Sequence, residues 1–192
     1  MAITAGLEVS CANLQAVGGI RNICLRSWTG SDVVAYTNSD VLHGISSIDV
    51  GAPAATWYMF EFKQETPTLS VTATRENGST SFECSLSFTV PQMDTIRYAN
   101  FMDMLDTCMM AIAVGNDGTK YVIGASEKYR NEQDISRSQT FCSLTSLEGT
   151  TGAAYNDDNN QVVTISCKQW ELPRVYSGSL SLYSATSTAT TT

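Results

Sequence analysis

The chain has 192 residues, of which 43% are hydrophobic and only 16% charged, and its formal net charge is −8. That length is enough for one domain with its own hydrophobic core. The acidic balance argues against tight DNA or RNA binding, which rests on basic contacts to phosphate, since Lys128, Arg130 and Arg137 are the one loose basic group.

In chain order, Met1–Ala16 reads as an arm or a first edge strand, and Met1–Val9 lacks the charged start and apolar run of a signal peptide. With no apolar run of transmembrane length, the expectation is folding in a cytoplasm and no membrane partner. The turn signal Val17-Gly18-Gly19 precedes a strand over Ile20–Trp28. Short strands follow at Val33–Tyr36 and Ile45–Val50, closed by Gly51 and Pro53. In Thr56–Lys63, Tyr58, Phe60 and Phe62 alternate with Trp57, Met59 and Glu61, so the Tyr-Phe-Phe face is expected to look inward. Leu69–Arg75 alternates too. Glu76-Asn77-Gly78-Ser79 is a hairpin signal, because Asn-Gly suits a type I′ turn. The returning strand, Thr80–Val90, puts Phe82, Cys84, Leu86, Phe88 and Val90 on one face.

Pro91 stops that strand, and helical spacing takes over across about residues 92–106. Met93, Ile96, Asn100 and Met104 fall on one line, flanked by Tyr98, Phe101, Met102 and Leu105, which reads as a face packed on the core. Asp94 suits the helix dipole; Asp103 and Asp106 oppose it, so packing must hold this helix. The apolar Met109–Val114 reads as a strand buried on both faces, turning at Asn116-Asp117-Gly118 into Lys120–Ile123. Ser126–Ser138 reads as a long exposed loop. Strands resume at Thr140–Leu147 and Val162–Trp170, with a turn at Asp157–Asn160 between them. The prediction is one mainly β domain over residues 1–178 and a Ser/Thr-rich tail over 179–192.

Chemistry is sparse. The lone histidine, His43, has no nucleophile motif beside it and reads as structural. No phosphate-binding, dinucleotide-binding or G-x-S-x-G motif occurs. Asp157-Asp158-Asn159-Asn160 has oxygen ligands but not the EF-hand spacing, and reads as a solvated turn. The cysteines are Cys11, Cys24, Cys84, Cys108, Cys142 and Cys167; with no C-x-x-C pair they read as free buried thiols, with disulfides as the alternative. No catalytic residue, cofactor or metal is expected.

The order of parts carries a resemblance. It runs through Val17–Leu25, the aromatic strand Trp57–Phe62, the strand–helix–strand block Phe82–Val114, the hairpin Asn116–Gly124, and Leu147–Gly152 leading to Val162–Pro173. Over roughly residues 10–178 this layout resembles the small virion proteins of tailed bacteriophages, and most closely a tail tube protein. The resemblance implies an antiparallel β-sandwich or curled sheet with one flanking helix. It implies hexameric rings that stack into a tube in the virion, assembled in the host bacterial cytoplasm. Other tail proteins such as sheath, tape-measure or terminator would be partners, and DNA would pass without tight binding. Either Lys63–Ser81 or Ser126–Ser138 would join ring to ring. Two other readings stay open: a head–tail connector, terminator or decoration protein, and a sugar-binding sandwich using Trp28, Trp57 and Trp170, which otherwise read as core anchors.

Overall fold

The structure, a computed structural model, describes residues 18–28, 33–38, 43–49, 57–127, 140–154 and 156–182. Its strands are β1 (Ile20–Ser27), β2 (Val33–Asn38), β3 (His43–Asp49), β4 (Tyr58–Phe60), β5 (Thr68–Glu76), β6 (Ser79–Pro91), β7 (Met109–Gly115), β8 (Lys120–Ile123), β9 (Ser143–Thr150), β10 (Asn160–Gln169) and β11 (Arg174–Tyr176). One helix, α1 (Thr95–Leu105), interrupts them, so the fold is mainly β as the alternation predicts.

The strands form two sheets. The larger runs β2-β3-β11-β8-β7-β1-β4 and the smaller β5-β6-β10-β9. All pairings are antiparallel except β11 with β3. The sheets face each other across a core built from Leu86, Phe88, Val163, Ile165, Ile23, Ala111 and Ile123, among others. The register explains it: Phe88 lies opposite Val163 and Leu86 opposite Ile165, so the period-two face of each strand meets its partner's.

The larger sheet is apolar on its other face too. Met109, Ala111 and Ala113 of β7 point into the sandwich, while Met110, Ile112 and Val114 point into a second cluster. Every residue of β7 is buried, as its unbroken apolar run predicts. Val34, Ile45 and Ile48 from one end of the strand order share that second cluster with Trp57 from the other end. The sheet must therefore curl. A strap after β11 closes the curl: Trp57 N–H donates to Ser181 O at 2.9 Å, and Trp57 bridges Leu182 in parallel. Residues 179–182 of the Ser/Thr-rich segment are thus tied to the sheet, and 183–192 lie outside the described residues.

Two local expectations change. The strand expected over Thr56–Lys63 shortens to Tyr58–Phe60, paired with β1. Phe60 and Phe62 do look inward, each edge-on to Phe88 at 6.3 and 6.5 Å between centroids. Tyr58 is exposed, however, and Trp57 on the opposite side is buried. Both follow from β4 being the last strand of a sheet wider than its partner: its rim overhangs the sandwich, while the curl covers Trp57.

The helix starts later than expected. Asp94 caps it, accepting from Arg97 N–H at 2.8 Å. Only Phe101 and Met104 are buried. Ile96 is 74% exposed and Met102 64%, so most of the anticipated core face looks outward. The helix packs beside β9, with the Met93 side chain against Gly149, and touches the core along one narrow stripe.

Candidate assembly surfaces

The β5–β6 hairpin is the most exposed regular element of the described chain. Its turn has φ +47° at Asn77 and +82° at Gly78, as a type I′ turn requires. Every residue of β5 except Leu69 is exposed, and β5 is an edge strand. Thr68–Thr74 carries no charge, and neither Pro nor a bulge interrupts its pairing with β6. Folded proteins ordinarily blunt such an edge with charge, proline or a bulge, because its free backbone groups template another strand.

On the inner face of β5, Leu69 packs partly against the core, and among the described residues Val71 stays exposed. Leu69 and Val71 line a groove of about 570 Å³ with Ile20, Tyr121, Leu172 and Pro173. This is an open flank of the sandwich. The flank beside β9 is closed by α1, whose exposed residues include Ile96, Tyr98, Met102 and Leu105. The two apolar surfaces therefore sit at opposite edges of the smaller sheet.

The outer face of that sheet is covered with hydroxyl groups. Ser70 lies opposite Ser85, Ser85 opposite Ser166, and Ser166 opposite Ser143. A second row runs Thr68, Ser87, Thr164, Ser146. Thr164 donates to Ser87 Oγ at 3.3 Å, and Thr145, at the β9 bulge, donates to Thr164 O at 3.1 Å. Lys168 is the basic residue of this face, and it sits opposite Glu83. Such a face is too polar to pack against another core and too poor in cations to grip phosphate.

Several charged and polar groups of the described chain serve the scaffold. Arg174, almost wholly buried, donates to Glu127 at 2.7 Å and Glu171 at 2.8 Å, and lies 4.9 Å over the Tyr36 ring. Burial disfavours its charge, but hydrogen bonding and charge from Glu171, then Glu127, outweigh that and raise its pKa. Asp157 accepts from Ala154 and Ala153 N–H at 2.7 and 2.8 Å, and these bonds hold its pKa below the ordinary carboxylate value. Asp158 pairs with Lys63, and Asn159 Oδ1 accepts from Met93 N–H at 3.1 Å. The Asp157–Asn160 turn thus spends its oxygens on its own fold.

The five described cysteines are free thiols. Cys24, Cys84, Cys142 and Cys167 are buried as expected, whereas Cys108 is exposed because it precedes β7 rather than belonging to it. The hydrogen bond that the Cys84 thiol shares with Cys167, then burial, raises the Cys84 pKa; one with Cys142 raises that of Cys167. Among the described residues no group of three or more His, Cys, Asp or Glu is arranged to hold a metal ion. His43 opens β3 opposite Asn38, and its side chain lies outside the description. The three indoles do not share one exposed platform: Trp57 is buried, and Trp28 packs tilted against Phe141 at 6.1 Å between centroids. Of Ser126–Ser138, only Ser126 and Glu127 lie within the described residues.

Neither a protein-family model, a curated protein nor a solved structure matches this chain. The functional reading therefore rests on the surfaces themselves. Sequence alternation marks β5 and β6 but not the groove, since the groove is made by the open flank and by Leu172 and Pro173 from far along the chain.

Proposed function

We propose that this chain is a virion structural protein of a tailed bacteriophage. It assembles with itself into hexameric rings that stack as the tail tube, and it has no active site. The observation that carries this reading is β5: a nine-residue edge strand, exposed at every residue but Leu69 and uncharged over Thr68–Thr74. An uncharged edge strand of this length, whose tip Thr74–Ser81 reaches past the last residue of β6 that pairs with β10, is best accounted for by other copies that cover it, which supports Lys63–Ser81 as the segment joining rings. The hydroxyl rows support passage of DNA, because a wall with little positive charge cannot hold a polyanion. Sheath, tape-measure and terminator proteins are the partners this reading implies, and the virion is its location.

Light scattering after size exclusion, with negative-stain microscopy beside it, tests the reading. Rings and tubes are expected. A monomer that persists across salt and concentration overturns it. Single rings that never stack would move the assignment to a connector or tail terminator. Deleting Gln64–Ser79 should leave rings but no stacks; unchanged tubes would remove the hairpin from that role.

A further inference from the structure

Two hairpin turns of the chain place an acid or its amide directly before glycine. Asn77-Gly78 tips the β5–β6 hairpin, and Asp117-Gly118 tips the β7–β8 hairpin. Asn77 is the one asparagine of the sequence followed by glycine, and Asp117 the one aspartate. In such a pair the glycine nitrogen can attack the side-chain carbonyl carbon before it, because glycine has no Cβ to block the approach. The fold decides where this happens: the nitrogen and the side chain must both be free, and the turn must open.

The two turns differ on each count. At the β7–β8 tip, Gly118 N–H donates to Gly115 O at 3.0 Å. The Asp117 carboxylate accepts from the Thr119 hydroxyl at 2.7 Å and from Thr119 N–H at 2.9 Å. Those bonds hold its pKa below the ordinary carboxylate value, so it stays an anion and a poor electrophile. The Asn116 amide before it is tied as well, donating to Gly18 O at 2.8 Å. The β5–β6 tip has none of these restraints. Asn77 and Gly78 are exposed. Among the described residues Gly78 N–H donates no backbone hydrogen bond, and the Asn77 amide has no partner. A Cβ at Gly78 would meet nothing within 4 Å, so the Asn77 side chain has room to swing over the nitrogen. Pairing of β6 with β10 starts at Phe82, which leaves Thr74–Ser81 held by β5 and β6 alone among the described strands. A ribbon of that width is marginal in water and opens locally.

We propose that Asn77-Gly78 is a self-modification site that retires unstacked subunits: the pair rearranges to isoaspartate in the free chain and is protected once another copy covers the hairpin. The chemistry stands on the turn alone, and the retirement rests on the self-assembly reading. The Gly78 nitrogen gives its proton to solvent and bonds to the Asn77 side-chain carbonyl carbon. The side-chain nitrogen leaves as ammonia, and a cyclic imide remains. Water then adds to one imide carbonyl and breaks that carbon's bond to the Gly78 nitrogen. Opening at the side-chain carbonyl leaves aspartate. Opening at the main-chain carbonyl leaves isoaspartate, whose backbone runs through the former side chain. Water is the sole co-reactant, and nothing is oxidised. Either product puts a carboxylate where a neutral amide stood. Isoaspartate also adds a carbon to the backbone between Glu76 and Ser79, so the turn no longer matches their pairing.

Peptide mapping by mass spectrometry tests the chemistry on unstacked wild-type chain held warm at mildly alkaline pH. The peptide with Asn77 should gain the mass that separates an amide from a carboxylic acid and split into aspartate and isoaspartate forms. The peptide with Asp117 should isomerise several-fold more slowly. Equal rates at the two turns, or an Asn77 amide that persists, overturn the proposal. Gly78→Ala should slow the conversion, because its methyl group crowds the nitrogen; an unchanged rate refutes attack by that atom. Negative-stain microscopy tests the retirement. Aged rings should stack less than fresh ones in step with the fraction converted, and tubes formed before ageing should keep the amide. Asn77→Gly keeps a residue suited to positive φ and has no amide to lose, so its stacking should not fall with age from its own fresh level. Converted subunits that stack like fresh ones, or tubes that convert as fast as free rings, overturn the retirement. A wild-type chain that never stacks defeats the self-assembly reading and the retirement with it, while the peptide map still decides the chemistry.

Discussion

Arg174 Nη2 donates to Glu171 Oε2 at 2.8 Å, and Glu171 Oε1 in turn accepts from Glu127 N–H at 2.6 Å. One arginine and one glutamate thereby tie β11 to the segment leaving β8. Arg174→Ala would leave two carboxylates facing each other in a partly closed site. Because Glu127 and Glu171 keep some exposure, the loss should be about 2–3 kcal/mol, below the roughly 3–5 of a fully buried pair. Urea unfolding measures it, and a change under about 0.5 kcal/mol would show that the pair is ornamental.

Gly124 and Gly78 both have positive φ, yet they should respond differently to alanine. A Cβ at Gly78 meets open space, so Gly78→Ala costs only backbone strain, about 1–2 kcal/mol. At Gly124 it would lie 2.9 Å from both Met109 O and Cys142 Sγ. Gly124→Ala should therefore cost more than about 2 kcal/mol. Thermal melts of the two variants side by side decide the order.

Hydrogen bonding and burial keep Cys84 and Cys167 as protonated thiols, and Cys24 and Cys142 are buried as well. In a Cys11→Ser background, an aromatic disulfide reagent should label Cys108 quickly and the other four only after denaturant is added. Fast native labelling of a second thiol would mean that the core opens readily.

Asp157 gives a pH dependence. Its folded pKa is lowered by the Ala154 and Ala153 N–H groups, so its contribution is complete above the unfolded pKa of about 3.9 and is lost as pH falls through the lower folded value. Wild-type stability should decline below about pH 4, and Asp157→Ala should remove that part of the decline while lowering stability at neutral pH. Parallel curves for the two proteins would exclude the Asp157 carboxylate as its source.

Much of the scaffold is legible in the sequence, because two-residue alternation survives wherever one face is buried. Leu86 and Phe88, or Val163 and Ile165, declare their strands, and the unbroken run of β7 declares burial on both sides. The Asn77-Gly78 turn declares its hairpin. Edges are less legible. Tyr58 alternates correctly with Phe60 yet is exposed, since nothing local records that one sheet is wider than the other. The helix shows the same limit: its apolar residues cover more than one stripe, and periodicity alone does not say which stripe the chain itself buries. The hydroxyl rows are half visible, as Ser85-x-Ser87-x-Thr89 and Thr164-x-Ser166, but their alignment across four strands is a fact of pairing.

The Ser181–Trp57 contact imposes an order on synthesis. Trp57 leaves the ribosome early, while its backbone partner is among the last described residues to emerge. The two-sheet core has all its strands once β10 is made, but the curl of the larger sheet cannot shut until the strap arrives. The chain therefore carries its own check on completeness: a product cut short before Ser177 keeps the sandwich and leaves the second apolar cluster ajar.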